Sequence, residues 1–143
     1  MKKIAIPLIL LATLLLCAAA LAATWNLTAL KAEAAKAVPD GKVMASSADE
    51  YGALVGVQAE GTNYQFTLST DQDPQAPTVH PFSYKGHKAF FFEVGMPGSG
   101  GLMILLGNDK SLTILCMVGM DADEDPDMNA LTAIADKMDL GAL

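Results

Sequence analysis

The stretch that decides the fold is GLMILLGNDKSLTILCMV, residues 101–118. Two apolar runs flank Asn108-Asp109, a pair that favours a tight turn, so the stretch predicts a β-hairpin. Pairing Leu106 with Ser111 sets its predicted register. One face then carries Met103, Leu105, Leu112, Ile114, Cys116 and Val118. The other face is also largely apolar, which is typical of strands at a sheet centre or of a surface that binds a partner.

Two further hairpins are predicted upstream of this stretch. Residues 53–59 and 64–70 form the first, and the second of its strands alternates apolar with polar side chains, as half-buried strands do. Residues 82–84 and 87–94 form the second hairpin, around a turn at Lys85-Gly86. The sequence therefore predicts strands that pair in an antiparallel manner.

The segments around these hairpins are less regular. Residues 42–45 favour a strand, although residues 47–50 also match the capping box of a short helix. The strand is preferred because glycines at 52 and 56 weaken a helix. Residues 71–81 predict a loop, and the glycine-rich residues 95–100 predict a flexible connection.

A helix is predicted on each side of the strand region. Residues 25–37 place apolar side chains at intervals of three and four, and Thr24 or Asn26 is suited to cap the first turn. The second helix is predicted from Asp125-Pro126 to about Asp139, because Asp favours the cap and Pro the first helical position. The order predicts an α+β fold: an N-terminal helix, an antiparallel β-meander of about five to seven strands, and a C-terminal helix packed on the sheet.

The first residues have the order of a secretory signal peptide. A positively charged start precedes an apolar run, and Ala20-Leu21-Ala22 fits a cleavage site. We predict a signal peptide at residues 1–22, with cleavage after Ala22 or Ala23, and a single small exported domain at residues 23–143. The domain is then expected in the periplasm or outside the cell.

Two alternative interpretations of this segment remain. Leu14-Leu15-Leu16-Cys17 resembles a bacterial lipoprotein box, although the residue before a lipidated Cys is normally small. The apolar run at 4–23 is also about long enough to span a bilayer as an uncleaved anchor. All three interpretations place the domain on the same side of the membrane. Membrane association is expected only through an uncleaved signal or a lipidated Cys17.

The charge of the chain limits its expected partners. Cleavage would remove two of the nine basic residues and none of the sixteen acidic ones, which changes the formal net charge from −7 to −9. The sequence contains no Arg, the usual bidentate ligand of phosphate, so nucleic acid and anionic membranes are not expected partners. The acidity fits basic or cationic partners and metal ions.

The acidic segment at residues 121–127 suggests a calcium site. Its carboxylates recur at every second position, as in the first part of a calcium-binding loop, and calcium prefers carboxylate oxygens. They belong to Asp121, Asp123, Asp125 and Asp127. Pro126 stands where such a loop has Gly, and Thr132 where it has a bidentate Glu. The alternative is a solvated acidic loop whose charges favour the start of the following helix.

The remaining reactive residues do not form a recognisable catalytic set. In the predicted hairpin Tyr84 faces His87 and His80 faces Phe91, which puts the two histidines too far apart to share one ion. Cys116 lies in an apolar strand and is expected to be a buried, unreactive thiol. We therefore expect a protein that is not an enzyme. An enzyme assembled from residues distant in sequence is the alternative.

The leading functional hypothesis rests on the apolar side chains of the predicted hairpins. The predicted hairpins hold more apolar side chains than one buried face needs, and the aromatic ones are candidate contact residues. They are Phe82, Tyr84, Phe90, Phe91 and Phe92. The sequence thus predicts a non-catalytic exported binding or accessory domain that buries an apolar sheet surface. An acidic rim would select a cationic protein partner or small ligand.

Overall fold

The computed structural model describes residues 25–143, which form an α+β fold of two α-helices and one antiparallel sheet. The predicted signal peptide, its cleavage site and Cys17 lie outside the described residues. The helices are α1 (Leu27–Ala37) and α2 (Met128–Ala135), and a 3-10 turn (Leu140–Ala142) follows α2. The strands are β1 (Lys42–Ala48), β2 (Gly52–Ala59), β3 (Thr62–Ser69), β4 (Thr78–Tyr84), β5 (His87–Glu93), β6 (Ser99–Gly107) and β7 (Lys110–Met117). The predicted α+β class is confirmed.

The strands lie in the order β1-β2-β3-β7-β6-β5-β4, and all neighbours are antiparallel. The prediction of a single β-meander is therefore wrong. β1 to β3 and β4 to β7 are separate meanders, and β3 pairs with β7. The connection at residues 70–77 carries the chain from the middle of the sheet to its far edge. This arrangement puts β6 and β7 near the centre, as the apolar character of both their faces predicts.

Both helices pack on one side of the sheet, which we call the helix face. Leu30 and Ala34 of α1, with Leu131 and Ala135 of α2, are 0 % exposed. Side chains alternate along a strand, so every second residue of the central strands points toward the helices. The fully buried ones are Val55, Phe66, Leu68, Leu102, Ile104, Leu112 and Ile114. At roughly 1.5–3 kcal/mol for each large apolar side chain, this layer is the main source of stability.

The structure places α1 and β1 where the sequence favours them. Asn26 caps α1, because its side-chain oxygen accepts a hydrogen bond from the Ala29 N–H at 2.9 Å. Residues 42–48 form a strand rather than a helix. The Asp49 carboxylate then accepts a hydrogen bond from the Tyr51 N–H at 2.8 Å. The first two residues of the capping-box match therefore belong to β1, and Asp49 closes the turn between β1 and β2.

The bounds of α2 differ from the prediction. The helix begins two residues later than predicted, because its cap is Asp127, whose carboxylate accepts a hydrogen bond from the Ala130 N–H at 2.8 Å. The carboxylate of Asp125, the predicted cap, instead accepts a hydrogen bond from the backbone N–H of Gly98. α2 also ends early, at Ala135. A contact with a distant segment has therefore overridden the local capping preference.

The register predicted for the β6–β7 hairpin is wrong by one residue. Leu105, not Leu106, pairs with Ser111, and a bulge lies between Leu105 and Gly107. Gly107 adopts a φ of +91°, which lets the chain insert one extra residue before the turn. The helix face therefore carries Leu102, Ile104, Leu112 and Ile114, whereas Met103 and Leu105 lie on the opposite face.

One buried carboxylate ties α1 to the segment after α2. Glu33 is only 3 % exposed. Its oxygens accept hydrogen bonds from Lys36 Nζ and from the Asp139 backbone N–H, each at 2.6 Å. Burial is the largest influence and raises the pKa of the Glu33 carboxyl. The hydrogen bonds from Lys36 and Asp139 and the charge of Lys36 together outweigh it, so the pKa lies below its ordinary value.

We expect the protein to lose stability in acid through Glu33. A carboxyl whose pKa is lowered by folding stabilises the folded state above its unfolded pKa, and that contribution is lost as the pH falls through the folded pKa. Glu33→Gln removes the charge, so we expect a free energy of unfolding about 1–2 kcal/mol lower at neutral pH and a flatter decline in acid. Urea denaturation of both proteins at several pH values checks this. Identical pH dependence would contradict it.

Candidate functional site

The side of the sheet opposite the helices, which we call the open face, carries a second and smaller apolar cluster. Its buried members are Phe90, Phe92 and Met103, at 5, 7 and 4 % exposure. The connection at residues 70–77 reaches this cluster, since Ala76 packs against it. The Phe92 ring lies so close to the backbone of Gly101 that a Cβ there would collide with it. Glycine at this position allows the ring to settle against β6.

A groove crosses the open face beside this cluster. It consists of two adjoining concavities of about 390 Å³ each, which share Thr67, Ser69 and Asp71. The first extends toward the β1–β2 turn and reaches Asp49 and Tyr51. The second extends toward β6, and its further lining includes Gln65, Asp73, Phe92, Val94, Met103, Thr113 and Leu115. We call the two together the open-face groove.

The groove has a polar side and an apolar side. The polar side comes from the open face of β3, where the alternation places Gln65, Thr67 and Ser69. The apolar side comes mainly from β5 and β6, through Phe92 and Met103. Concave sites with an apolar wall and a few convergent polar groups are typical of ligand-binding pockets.

Asp71 is held at the junction of the two concavities. Ser69 Oγ donates to Asp71 Oδ2 at 3.0 Å, and the Asp71 N–H is 3.2 Å from Ser69 Oγ. Ser69 Oγ is also 3.3 Å from the hydroxyl of Ser111, which is 0 % exposed. The other carboxylates in the lining are Asp49 and Asp73, and none of the described residues that line the groove is basic. The groove therefore presents negative charge to a ligand.

The five aromatic residues predicted as contact residues do not form one surface. Phe82, Tyr84 and Phe91 pack on the helix-face core, whereas Phe90 and Phe92 belong to the open-face cluster. The Tyr84 hydroxyl donates to Asp136 Oδ1 at 2.7 Å, and Phe91 stacks on His80 with ring centroids 5.9 Å apart. The strand alternation divides the set between the two faces. Of the five, Phe92 alone lines the open-face groove.

The four aspartates proposed for calcium are exposed, and two of them have separate protein partners. Asp127 caps α2, and Asp125 accepts a hydrogen bond from Gly98. Within residues 25–143, no three His, Cys, Asp or Glu side chains are arranged to hold a metal ion. A calcium site at Asp121, Asp123, Asp125 and Asp127 stays a prediction, and two of its carboxylates already have protein partners.

The histidines and the thiol of Cys116 lie where the strand patterns predict. Tyr84 pairs with His87, and His80 pairs with Phe91, so the predicted register of this hairpin is confirmed. Cys116 is buried in β7. Burial raises the pKa of its thiol to about 11, which keeps it protonated at neutral pH. The prediction of a buried thiol is confirmed.

Sequence reasoning did not identify the open-face groove. The alternation in β3 shows which of its side chains share a face, but not what lies beside them. Residues 71–77 are predicted only as part of a loop. Their packing against the open-face cluster turns a sheet surface into a groove. The one feature of the sequence that could have indicated the groove is the acidic, proline-containing composition of this connection. That composition does not specify where the connection packs.

The two α-helices are short, with 11 residues in α1 and 8 in α2. In the described range 25–143, no helix combines the length and the apolar character that crossing a membrane requires. The chain matches no protein-family model, no curated protein sequence and no solved structure.

Proposed function

We propose that this chain is a non-catalytic binding or accessory domain, exported to the periplasm or outside the cell, which binds an amphipathic cation in its open-face groove. The apolar body of the ligand would contact Phe92, Met103 and Leu115. Its protonated amine would lie near the carboxylates of Asp71 and Asp73. One observation carries the proposal: carboxylates and apolar side chains line the same groove, and no basic residue is among the described lining residues.

The size and charge of the molecule support this proposal. Each concavity has about 390 Å³, which falls within the usual range of small-ligand pockets. The expected mature charge of −9 favours the approach of a cation. Export is supported by the order of charged, apolar and small residues in the first 23 positions. A non-catalytic role is supported by the lack of a complete catalytic motif in the sequence.

Titration with two probes of the same chemistry tests the proposal. The first is a short peptide that alternates Lys and Leu, and the second is a single-chain alkylamine. We expect saturable binding that weakens as salt is added, because charges near the surface are screened. Asp71→Asn should raise the dissociation constant about two- to fivefold, the effect of losing one partly exposed charge contact. Isothermal titration calorimetry measures both constants.

Asp109→Asn is the matched control. It removes the same charge from the β6–β7 turn, which does not line the groove, and Asn tolerates the φ of +57° at this position. Binding of the peptide alone would identify a basic protein segment as the ligand, and binding of the alkylamine alone a small amphiphile. The proposal is wrong if neither probe binds, or if Asp109→Asn weakens binding as much as Asp71→Asn does.

A further inference from the structure

β1 forms one edge of the sheet, and within the described residues only β2 pairs with it. All seven of its residues are exposed, including the large apolar side chains of Val43 (42 %) and Met44 (57 %). The outer side of an edge strand presents backbone N–H and C=O groups that another strand can bind. β1 therefore offers both backbone groups and apolar side chains to a partner strand.

The opposite edge of the sheet is more strongly protected than β1. β4 contains Pro81, which has no N–H to donate, and it ends beside the ion pair between Lys85 and Asp136, at 2.9 Å. Proline and charge are common devices that prevent edge strands from pairing. β1 has no proline, and its one charged residue is Lys42. A bulge next to Val43 is the one irregularity in its pairing with β2.

The charges around β1 are complementary to those of a second β1. Lys42 begins the strand, and Asp49 and Glu50 directly follow it. Among the described residues, Lys42 forms no ion pair in its own chain. Antiparallel pairing of two β1 strands brings the beginning of each beside the end of the other. Lys42 of each copy would then lie beside Asp49 and Glu50 of the other, and the symmetry provides this contact twice.

We propose that two copies of this chain associate through antiparallel pairing of their β1 edges. Each copy contributes its seven-stranded sheet to one continuous sheet. The two-fold axis of an antiparallel pair is perpendicular to the sheet, so both helix faces lie on one side and both open-face grooves on the other. Ser47 and Asp49 line the groove at its β1 end, so each groove opens toward the shared edge, and the two grooves lie at opposite ends of the strand pair. The pairing itself does not depend on the proposed ligand.

Sedimentation equilibrium across about a hundredfold range of protein concentration tests the pairing, on protein as the producing cell processes it. The wild type should show a monomer–dimer equilibrium. Lys42→Glu turns two attractive contacts into two repulsive ones, and we expect it to raise the dimer dissociation constant about tenfold. The double variant Lys42→Glu/Glu50→Lys restores opposite charges across the axis and should recover most of the lost affinity.

Lys31→Glu is the control, because it makes the same charge change at an exposed position of α1. It should leave the dimer affinity within about twofold of wild type. Hydrogen exchange gives a second measurement, since the amides of residues 42–48 should exchange more slowly as the protein concentration rises. A wild type that stays monomeric overturns the proposal. A dimer that responds equally to Lys31→Glu and Lys42→Glu, or that the double variant does not restore, overturns it too.

Discussion

Leu112→Ala is expected to lower the free energy of unfolding by about 3–5 kcal/mol. Leu112 is 0 % exposed in β7 and lies on the helix face. Its neighbours across the two adjoining strands are Leu68 and Ile104, which are also 0 % exposed. The shortened side chain leaves a cavity between them. Because protein interiors are close-packed and relax only partly, the cavity adds to the lost transfer free energy.

Leu115→Ala is the matched control for this prediction. It makes the same substitution in the same strand, but on the open face, where Leu115 is half-buried and lines the groove. Less apolar surface is lost from a side chain that solvent already reaches, so we expect a loss of about 1 kcal/mol. Urea denaturation of the three proteins measures the difference. Equal losses of stability for the two variants would show that the two leucines do not differ in burial as the structure indicates.

The second large effect is expected at Gly98. Gly98→Ala should lower the free energy of unfolding by about 3–4 kcal/mol, from two causes. Gly98 has a φ of +70°, which costs an L-residue roughly 1–2 kcal/mol. A Cβ would also overlap the carbonyl oxygen of Gly119, which adds about 1–3 kcal/mol of overpacking. The backbone is not free to move away, because Gly98 accepts a hydrogen bond from Val118 and donates one to Asp125.

Gly86→Ala separates these two causes. Gly86 has a φ of +82°, but a Cβ there would meet no atom within 4 Å. The variant keeps the backbone strain without the overlap, so we expect a loss of about 1–2 kcal/mol. Thermal denaturation compares the two variants, with a clearly larger fall in Tm for Gly98→Ala. If the two variants lose the same stability, the close approach of Gly98 to Gly119 is not rigid.

The experiments can overturn the proposed ligand binding and the proposed edge pairing independently of each other. Asp71→Asn changes a charge in the shared part of the groove, and Lys42→Glu changes a charge at the sheet edge. A monomeric wild type that still binds the cationic peptide overturns the edge pairing and leaves the proposed function standing. A dimer that binds neither probe overturns the proposed function and leaves the edge pairing standing. If dimer formation strengthens peptide binding, the two grooves act together across the axis.

Much of the local structure was predictable from the sequence. The Lys85-Gly86 turn sets the register of β4 and β5, because glycine adopts the positive φ that this short connection requires. Asn26 was one of the two predicted caps of α1, and its side chain satisfies a free N–H of the first turn. The apolar faces of residues 101–118 predicted strands at a sheet centre or a surface for a partner, and the strands lie near the sheet centre. These features depend on neighbouring residues or on the average polarity of one strand.

The candidate site could not be predicted in the same way. Its polar side lies on β3 and its apolar side on β5 and β6, and the connection at residues 70–77 completes it. The chain must leave β3, cross to the far edge and return before these residues meet. The aromatic residues of β4 and β5 were predicted as one contact surface, but the alternation of side chains along each strand divides them between two faces. Only the packing of distant segments brings the residues of the groove together.

The sequence by itself determined the α+β class, most strand positions and two candidate caps for α1, because short-range geometry and side-chain periodicity decide these. The tertiary structure alone decided that β3 pairs with β7 and that Asp127, not Asp125, caps α2. The Asp125 carboxylate has a competing donor at Gly98, which lies 27 positions away in the chain. Such choices depend on small free-energy differences between partners that meet only after the chain has folded.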